Sequence, residues 1–111
     1  MGYVHHTGYF IVPVAPEWRH LTSGETSAPE HRLVMAKLLG RCLYPDESVH
    51  HRNGNRLDNR ERNLELWSRW QPRGQRVEDK VAYAVELLER YAPDLLTEDA
   101  TTRRLASELN P

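Results

Sequence analysis

The chain has 111 residues, which is enough for one domain with one modest hydrophobic core. Apolar residues make up 39% and charged residues 28%, which is typical of a globular protein. No apolar run approaches the roughly 20 residues that a membrane helix needs, and no signal-peptide pattern is present. We therefore expect a cytoplasmic globular protein without a membrane segment. Cys42 is the only cysteine, which excludes an intramolecular disulfide and a cysteine-based zinc knuckle and leaves histidine, amide or carboxylate groups as metal ligands.

The positive charge is concentrated in one part of the chain. Residues 1–76 hold 11 Lys and Arg against 8 Asp and Glu, whereas residues 77–111 hold 4 against 8. Within residues 50–76 there are 7 Arg against 3 acidic residues. Because the net charge of −1 averages a basic loop with an acidic tail, it does not exclude nucleic acid as a partner.

The N-terminal residues predict a short hairpin followed by a loop. In residues 1–16, a Thr-Gly turn precedes a β-branched and aromatic run over residues 9–14, which is typical of a hairpin. Residues 17–28 contain a cluster of Ser, Thr and Gly, so we expect a loop there.

A helix is predicted between Pro29 and Gly40, because proline suits the first turn of a helix and glycine suits its C-terminal end. The apolar face of this helix follows the spacing of a buried stripe: His31, Val34, Met35, Leu38 and Leu39. The spacing therefore places His31 on the buried side of the helix.

The middle of the chain predicts two short strands joined by a long polar loop. Residues 47–51 and 64–67 have the character of strands, and the loop between them includes RNGNRLDNRERN. A loop of this length in a small domain usually carries a function, because functional loops are held by rigid flanking elements.

The strongest helical pattern runs from residue 75 to about residue 91. We expect its apolar face to be part of the core, and that face consists of Val77, Val81, Ala84, Val85, Leu88 and Tyr91. We therefore expect the domain to span residues 1–96. Residues 97–111 are expected to form a short C-terminal tail, with a short helix around residues 103–109.

The residues that point to chemistry lie in VHHRNGNRLDNRERNLELW, residues 49–67. His50 and His51 are neighbours on a strand, so their side chains point to opposite faces, and one of them can face a metal while the other faces water or a phosphate. The loop returns Asn63 to the start of the second strand. The guanidinium groups of the loop between them suit phosphate oxygens.

In this segment the chain resembles the HNH endonucleases, specifically the small type common in bacteriophages. The resemblance is carried by EHRLVMAKLLGR (30–41), by VHH, NG, DNR and NLELW within residues 49–67, and by QPRGQRVEDKV (71–81). It implies a ββα-metal finger with its core over about residues 47–91. Combined with the predicted elements, it gives a single α+β domain with an N-terminal hairpin and two main helices.

The resemblance implies roles for three residues of this motif. His50 matches the metal ligand on the first strand, where many relatives have aspartate. His51 matches the general base. Asn63 matches the central asparagine, whose side chain braces the loop and fixes the orientation of the base. The motif therefore implies catalytic roles for His51 and Asn63 and a metal-binding role for His50.

The third motif position, at the start of the helix, departs from the family pattern. It falls on Pro72, which has no side-chain ligand. The amide oxygen of Gln71 or Gln75 is an alternative ligand, because magnesium accepts hard oxygen donors. Of the two, Gln71 is the favoured second metal ligand.

The implied reaction is hydrolysis of a DNA phosphodiester with one divalent ion, Mg²⁺ in the first place and Mn²⁺ or Zn²⁺ as alternatives. A bacteriophage or prophage source is implied by the type of relative, and the protein is expected to act as a monomer or homodimer. The arginines predicted to contact DNA phosphates are Arg32, Arg41, Arg52, Arg60, Arg62, Arg73 and Arg76.

Two other functions are compatible with the sequence. The departure at Pro72 favours a DNA-binding module of the same fold with impaired catalysis. Six histidines leave room for a small metal-stabilised interaction protein. His31 likewise has two interpretations, either as a buried core histidine or as a residue that contacts the site and orients it.

Overall fold

The structure is a computed structural model, and it describes residues 1–96. It divides into two compact units, one formed by residues 1–70 and one that begins at Gln71. The predicted domain limit at residue 96 stays a prediction, and the predicted helix around residues 103–109 lies outside the described residues. The α+β class is confirmed, because each helix and each strand pair occupies its own stretch of chain.

The first sheet has three antiparallel strands in the order β1-β2-β3: Tyr3–Val4, Phe10–Pro13 and Ser27–Pro29. The predicted hairpin is confirmed, with Gly8 in its turn at a φ of 91°. The predicted loop over residues 17–28 is wrong in part. Pro16–Leu21 is a 3-10 helix, which begins at a proline, and β3 pairs with β2.

Helix α1 comprises Glu30–Leu39 and ends at Gly40, whose left-handed φ of 72° favours glycine. The predicted helix is confirmed, but its buried face differs from the predicted stripe. The side chains of α1 that are buried are His31, Leu33, Met35 and Ala36. Leu38 and Leu39, in the last turn of α1, are exposed.

The second sheet is the antiparallel pair β4, Glu47–His51, and β5, Leu64–Ser68. Both strands occur where the sequence predicts them, and the loop between them ends in a short 3-10 helix, Glu61–Asn63. The hydrophobic core of the first unit lies between α1 and the β4–β5 pair. It consists of Met35, Val49 and Leu64, with Val34, Leu43 and Leu66 packed around them. The core therefore fixes β4 and β5 against the helix that carries His31.

A buried ion pair anchors the start of β4. Glu47 is fully buried, and its carboxylate accepts two hydrogen bonds from the guanidinium of Arg41, at 2.8 and 2.9 Å. The backbone N–H of Tyr44 donates a third, at 2.7 Å. Such a carboxylate tolerates burial because its oxygens are matched by donors.

The second unit contains α2, Val77–Tyr91, followed by a 3-10 turn, Pro93–Leu95. The Asp79 carboxylate accepts from the backbone N–H of Arg76 at the start of α2, which satisfies one of the N–H groups left over at a helix N-terminus. The predicted burial of the apolar stripe is wrong for several positions, since Val77 is 78% exposed and Val81 is 58% exposed. Helical spacing identifies an apolar face but not whether another element covers it.

Candidate active site

An open cleft of about 660 Å³ lies within the first unit, where the end of β4 meets the start of α1. Its walls combine imidazole, guanidinium and phenol groups with backbone: Tyr9, Pro29, His31, Arg32, Ser48, Val49, His50, His51, Gly54 and Arg56. Both histidines of the motif line this cleft. The positive and hydrogen-bonding groups make it suited to an anionic ligand.

His51 lies at the centre of a cluster of rings. The ring centroid of His31 is 5.0 Å from that of His51, and the Tyr9 ring is 6.1 Å from it. Tyr9 also stacks on His31, with centroids 4.6 Å apart and an interplanar angle of 17°. These neighbours restrict the orientation of the His51 ring.

A side-chain hydrogen bond holds one nitrogen of His51. Its Nε2 lies 2.7 Å from Oδ1 of Asn59, a residue of the β4–β5 loop. The Nδ2 of the same amide donates to Oε1 of Glu30 at 2.9 Å. Glu30 is the first residue of α1, so this chain of hydrogen bonds joins the helix, the loop and β4.

Asn63 is 94% buried and braces the β4–β5 loop from inside. Its Nδ2 donates to the carbonyl of Asp58 at 2.8 Å and to Oδ1 of Asn53 at 3.0 Å, while its Oδ1 accepts from the backbone N–H of Asn53 at 3.2 Å. Its own carbonyl accepts from the backbone N–H of Arg52 at 2.7 Å. These bonds tie the loop together, and the amide that contacts His51 belongs to Asn59, so the catalytic role of Asn63 stays a prediction.

The same loop is stiffened by Asp58. Its carboxylate accepts two bonds from the guanidinium of Arg60, both at 2.7 Å, and one from Nδ2 of Asn53 at 2.9 Å. The hydrogen bond from Arg60, followed by that from Asn53, lowers the pKa of Asp58 well below its usual range despite partial desolvation. The loop that carries Asn59 is therefore tied together by an ionised carboxylate.

His31 is buried in the floor of the cleft, with 6% of its surface exposed. Its Nδ1 has no hydrogen-bond partner among residues 1–96. Burial, followed by the charges of His51 and Arg32, lowers the pKa of His31 from 6.5 to about 4. His31 is therefore neutral at physiological pH.

His50 lies on the opposite face of β4 from His51, as alternation along a strand requires. Its ring stacks on Trp67 with centroids 3.8 Å apart, and its Nε2 lies 3.2 Å from the Oγ of Ser48. Glu65 is its cross-strand partner. The Glu65 carboxylate also accepts from Nε1 of Trp67 at 2.8 Å and pairs with Arg52 at 3.1 Å.

The side chains around His50 bear on whether this position can hold a metal ion. Among residues 1–96, no three His, Cys, Asp or Glu side chains lie together in a metal-binding group. His50 offers one imidazole, and Glu65 lies opposite it. The Glu65 carboxylate is already engaged by Trp67 and Arg52, so metal ligation by His50 stays a prediction.

The predicted DNA-contacting arginines differ in what surrounds them. The arginines that pair with carboxylates are Arg41 with Glu47, Arg52 with Glu65, Arg60 with Asp58, and Arg76 with Glu78 and Asp79. Arg32 lines the cleft. Arg62 and Arg73 are exposed, as is the predicted metal ligand Gln71 at the beginning of the second unit. DNA contact and metal ligation by these residues stay predictions.

Sequence reasoning missed four side chains of the site. Glu30 and Asn59 form the hydrogen-bonded chain to His51, Tyr9 stacks in the ring cluster, and Arg56 lines the cleft with its guanidinium 5.0 Å from the centre of the Tyr9 ring. The nearest sequence signal was the DNR triplet, which contains Asn59. Glu30 is the first residue of the segment EHRLVMAKLLGR but was given no role, and Tyr9 carried no signal, because only the fold brings these two residues to the site.

The comparison with known protein families supports the resemblance to the HNH endonucleases. A family model described as HNH endonuclease matches residues 29–71. The match includes α1, both strands of the second sheet and the loop between them. No curated protein and no solved structure matches the chain.

Proposed function

We propose that this protein is a divalent-metal-dependent DNA endonuclease or nickase with His51 as its general base, because residues 29–71 match a family model described as HNH endonuclease. The observation that carries the proposal is the position of His51. Its ring lines an open cleft, one of its nitrogens is held by Asn59, and arginine side chains lie beside it. A general base needs this combination of access, fixed orientation and a nearby site for the substrate.

In the proposed reaction, neutral His51 accepts a proton from a water molecule whose oxygen attacks phosphorus. A new P–O bond forms, the bond from phosphorus to the 3′ oxygen breaks, and the products are a 5′-phosphate and a 3′-hydroxyl. The displaced oxygen takes its proton from solvent. Proton removal by a positioned histidine contributes about 10²- to 10⁴-fold to such reactions.

His50 is the proposed protein ligand for the divalent ion, and Gln71 stays a proposed second ligand. When bound, the ion supplies charge neutralisation at the phosphate and at the leaving oxygen. Stacking on Trp67 and the contact with Ser48 hold the His50 ring in place before substrate arrives. Metal affinity is therefore expected to depend on His50 and to rise when a phosphodiester is present.

Arg32 and Arg56 are the arginines best positioned to bind the substrate phosphate, because both line the cleft with His51. Arg32 follows His31 in the first turn of α1, whereas Arg56 reaches over the Tyr9 ring and donates to the carbonyl of Thr7. A guanidinium on each element offers planar donors that match phosphate oxygens. His31 and Tyr9 support the ring of His51 from behind.

The proposal is tested by incubating supercoiled plasmid with the protein in Mg²⁺ or Mn²⁺, with an EDTA control. We expect nicked circles to appear only with metal, and their ends should carry a 5′-phosphate and a 3′-hydroxyl. Cleavage that persists in EDTA would contradict metal dependence. DNA that stays intact with both metals would contradict nuclease activity.

A second candidate function is supported by Pro72, which occupies the third motif position without a side-chain ligand. A chain that retained the fold but lost the second metal ligand would bind DNA without cutting it. The plasmid assay separates the two candidates when DNA binding is measured in parallel by fluorescence anisotropy. Binding without cleavage in either metal favours the binding module.

A further inference from the structure

The hydrogen-bonded chain Glu30–Asn59–His51 has a direction that chemistry determines. An ionised carboxylate only accepts hydrogen bonds, so the group of Asn59 that faces Glu30 must be its NH₂ group. The structure has this arrangement, with Nδ2 of Asn59 at 2.9 Å from Oε1 of Glu30. The amide oxygen of Asn59 must then face His51.

The orientation of Asn59 in turn determines the tautomer of His51. Oδ1 of Asn59 is an acceptor and lies 2.7 Å from Nε2 of His51, so this nitrogen must carry the proton. A neutral imidazole has only one N–H, and therefore its Nδ1 is left with an unshared electron pair. The negative charge of Glu30 thus acts on His51 through two hydrogen bonds.

We infer that Glu30, acting through Asn59, fixes His51 as the Nε2–H tautomer and so presents Nδ1 as the atom that accepts the proton from water. The selection of the tautomer stands on the hydrogen bonds alone, whereas proton acceptance by Nδ1 rests on the proposed function. Glu30 and Asn59 are positioning residues, because they act through His51. An amide without a charged partner can rotate and bond either tautomer, so the carboxylate is the part of the chain that selects one.

Three surroundings of the site support this assignment. Asn59 lies in a loop that Asn63 and Asp58 hold in one conformation, so its amide is not free to move away. Glu30 is fixed by its position in the first turn of α1, whose buried face packs in the core. The rings of His31 and Tyr9 flank His51 without competing for Nε2, which is already 2.7 Å from Asn59.

The test compares wild-type protein with Glu30→Gln, which keeps the shape of the side chain but removes its charge. The tautomer of His51 is determined from the ¹⁵N shifts of Nδ1 and Nε2 at a pH where the ring is neutral. We expect a single Nε2–H tautomer in the wild type and a mixture of both tautomers in Glu30→Gln. Glu61→Gln, which alters an exposed glutamate of the β4–β5 loop, should retain the single Nε2–H tautomer of the wild type.

Kinetics complete the test on the same variants. We expect kcat for DNA cleavage to fall about tenfold or more in Glu30→Gln with KM unchanged, because a wrongly protonated base fails in catalysis and not in binding. A predominant Nδ1–H tautomer in the wild type would overturn the inference. So would a single Nε2–H tautomer in Glu30→Gln, or mixed tautomers with wild-type kcat.

The spectroscopic measurement does not depend on nuclease activity. If the wild type cuts no DNA, the proposed function fails, and the His51 tautomer still decides whether Glu30 sets it. If Glu30→Gln does not fold, the wild-type tautomer alone remains decisive, because an Nδ1–H form is incompatible with the hydrogen bonds described.

Discussion

Three histidines around one cleft have different surroundings, and these differences determine what each can do. His51 is held by Asn59 and lines the cleft, His50 stacks on Trp67 on the other face of β4, and His31 is buried with its ring 5.0 Å from that of His51. The sequence motif pointed to His50 and His51 because a motif is defined by the order and spacing of residues along the chain. It did not identify Asn59 as the partner of His51, because that contact depends on how the loop folds.

The buried His31 predicts a pH dependence of stability. Its pKa is lowered from 6.5 to about 4 in the folded protein, so the unfolded chain binds a proton first as the pH falls. The free energy of unfolding should therefore decrease between pH 6.5 and pH 4, with a contribution from His31 of about 3 kcal/mol. Above pH 6.5 the residue is neutral in both states and contributes no pH dependence.

Urea unfolding of the wild type and of His31→Phe at several pH values measures this contribution. The difference in free energy of unfolding between the two proteins should change by about 3 kcal/mol between pH 6.5 and pH 4, because phenylalanine also has an aromatic ring but does not titrate. His20→Phe, at an exposed position, should follow the wild type. A constant difference between His31→Phe and wild type would contradict the assignment.

At the scale of elements, the β4–β5 hairpin is the part of the fold that the sequence predicts best. The sequence has strand character over residues 47–51 and 64–67, within the motif, and the structure has strands at Glu47–His51 and Leu64–Ser68. The pairing of β3 with β2 and the exposure of the α2 stripe were not predictable. Both depend on neighbours that local patterns do not encode.

The ion pair at the start of β4 predicts that Arg41 stabilises the fold. Arg41→Ala would leave the buried Glu47 carboxylate without its charged partner, so the free energy of unfolding should fall by about 3 kcal/mol or more. Arg52→Ala provides the matched comparison, because its partner Glu65 is partly exposed, and should cost about 1 kcal/mol or less.

Urea denaturation of both variants checks this expectation. Equal losses in Arg41→Ala and Arg52→Ala would contradict a special structural role for Arg41. DNA affinity measured on the folded Arg41→Ala protein would then show whether this guanidinium also contacts phosphate, as the sequence analysis predicts.

At the scale of the whole molecule, the distribution of charge matters more than its sum. Eight of the 13 arginines lie within residues 1–70, the unit that contains the cleft, and the net charge of −1 conceals this. Neither helix within residues 1–96 has the length and apolar character of a membrane-spanning segment. If the cleft lined by His51 is the site of the proposed cleavage, each binding event cuts one strand, so a plasmid should be nicked before it is cut through both strands.

The arginines of the cleft predict the salt dependence of DNA binding. Each phosphate contact contributes about 0.9 to the slope of log K against log salt concentration. Arg32→Ala combined with Arg56→Ala should therefore lower the slope by about 2. Arg76→Ala should lower it less, because Asp79 and Glu78 already pair with that guanidinium. Fluorescence anisotropy at several salt concentrations measures these slopes, and an unchanged slope in the double variant would place DNA elsewhere.

The role of His51 is tested most directly by the single-turnover rate of plasmid nicking in His51→Ala, with circular dichroism to verify the fold and anisotropy to verify DNA binding. We expect a rate at least about 100-fold below wild type with DNA affinity retained, because only the proton acceptor has been removed. A folded His51→Ala protein that nicks DNA at a rate close to that of the wild type would show that another group activates the water.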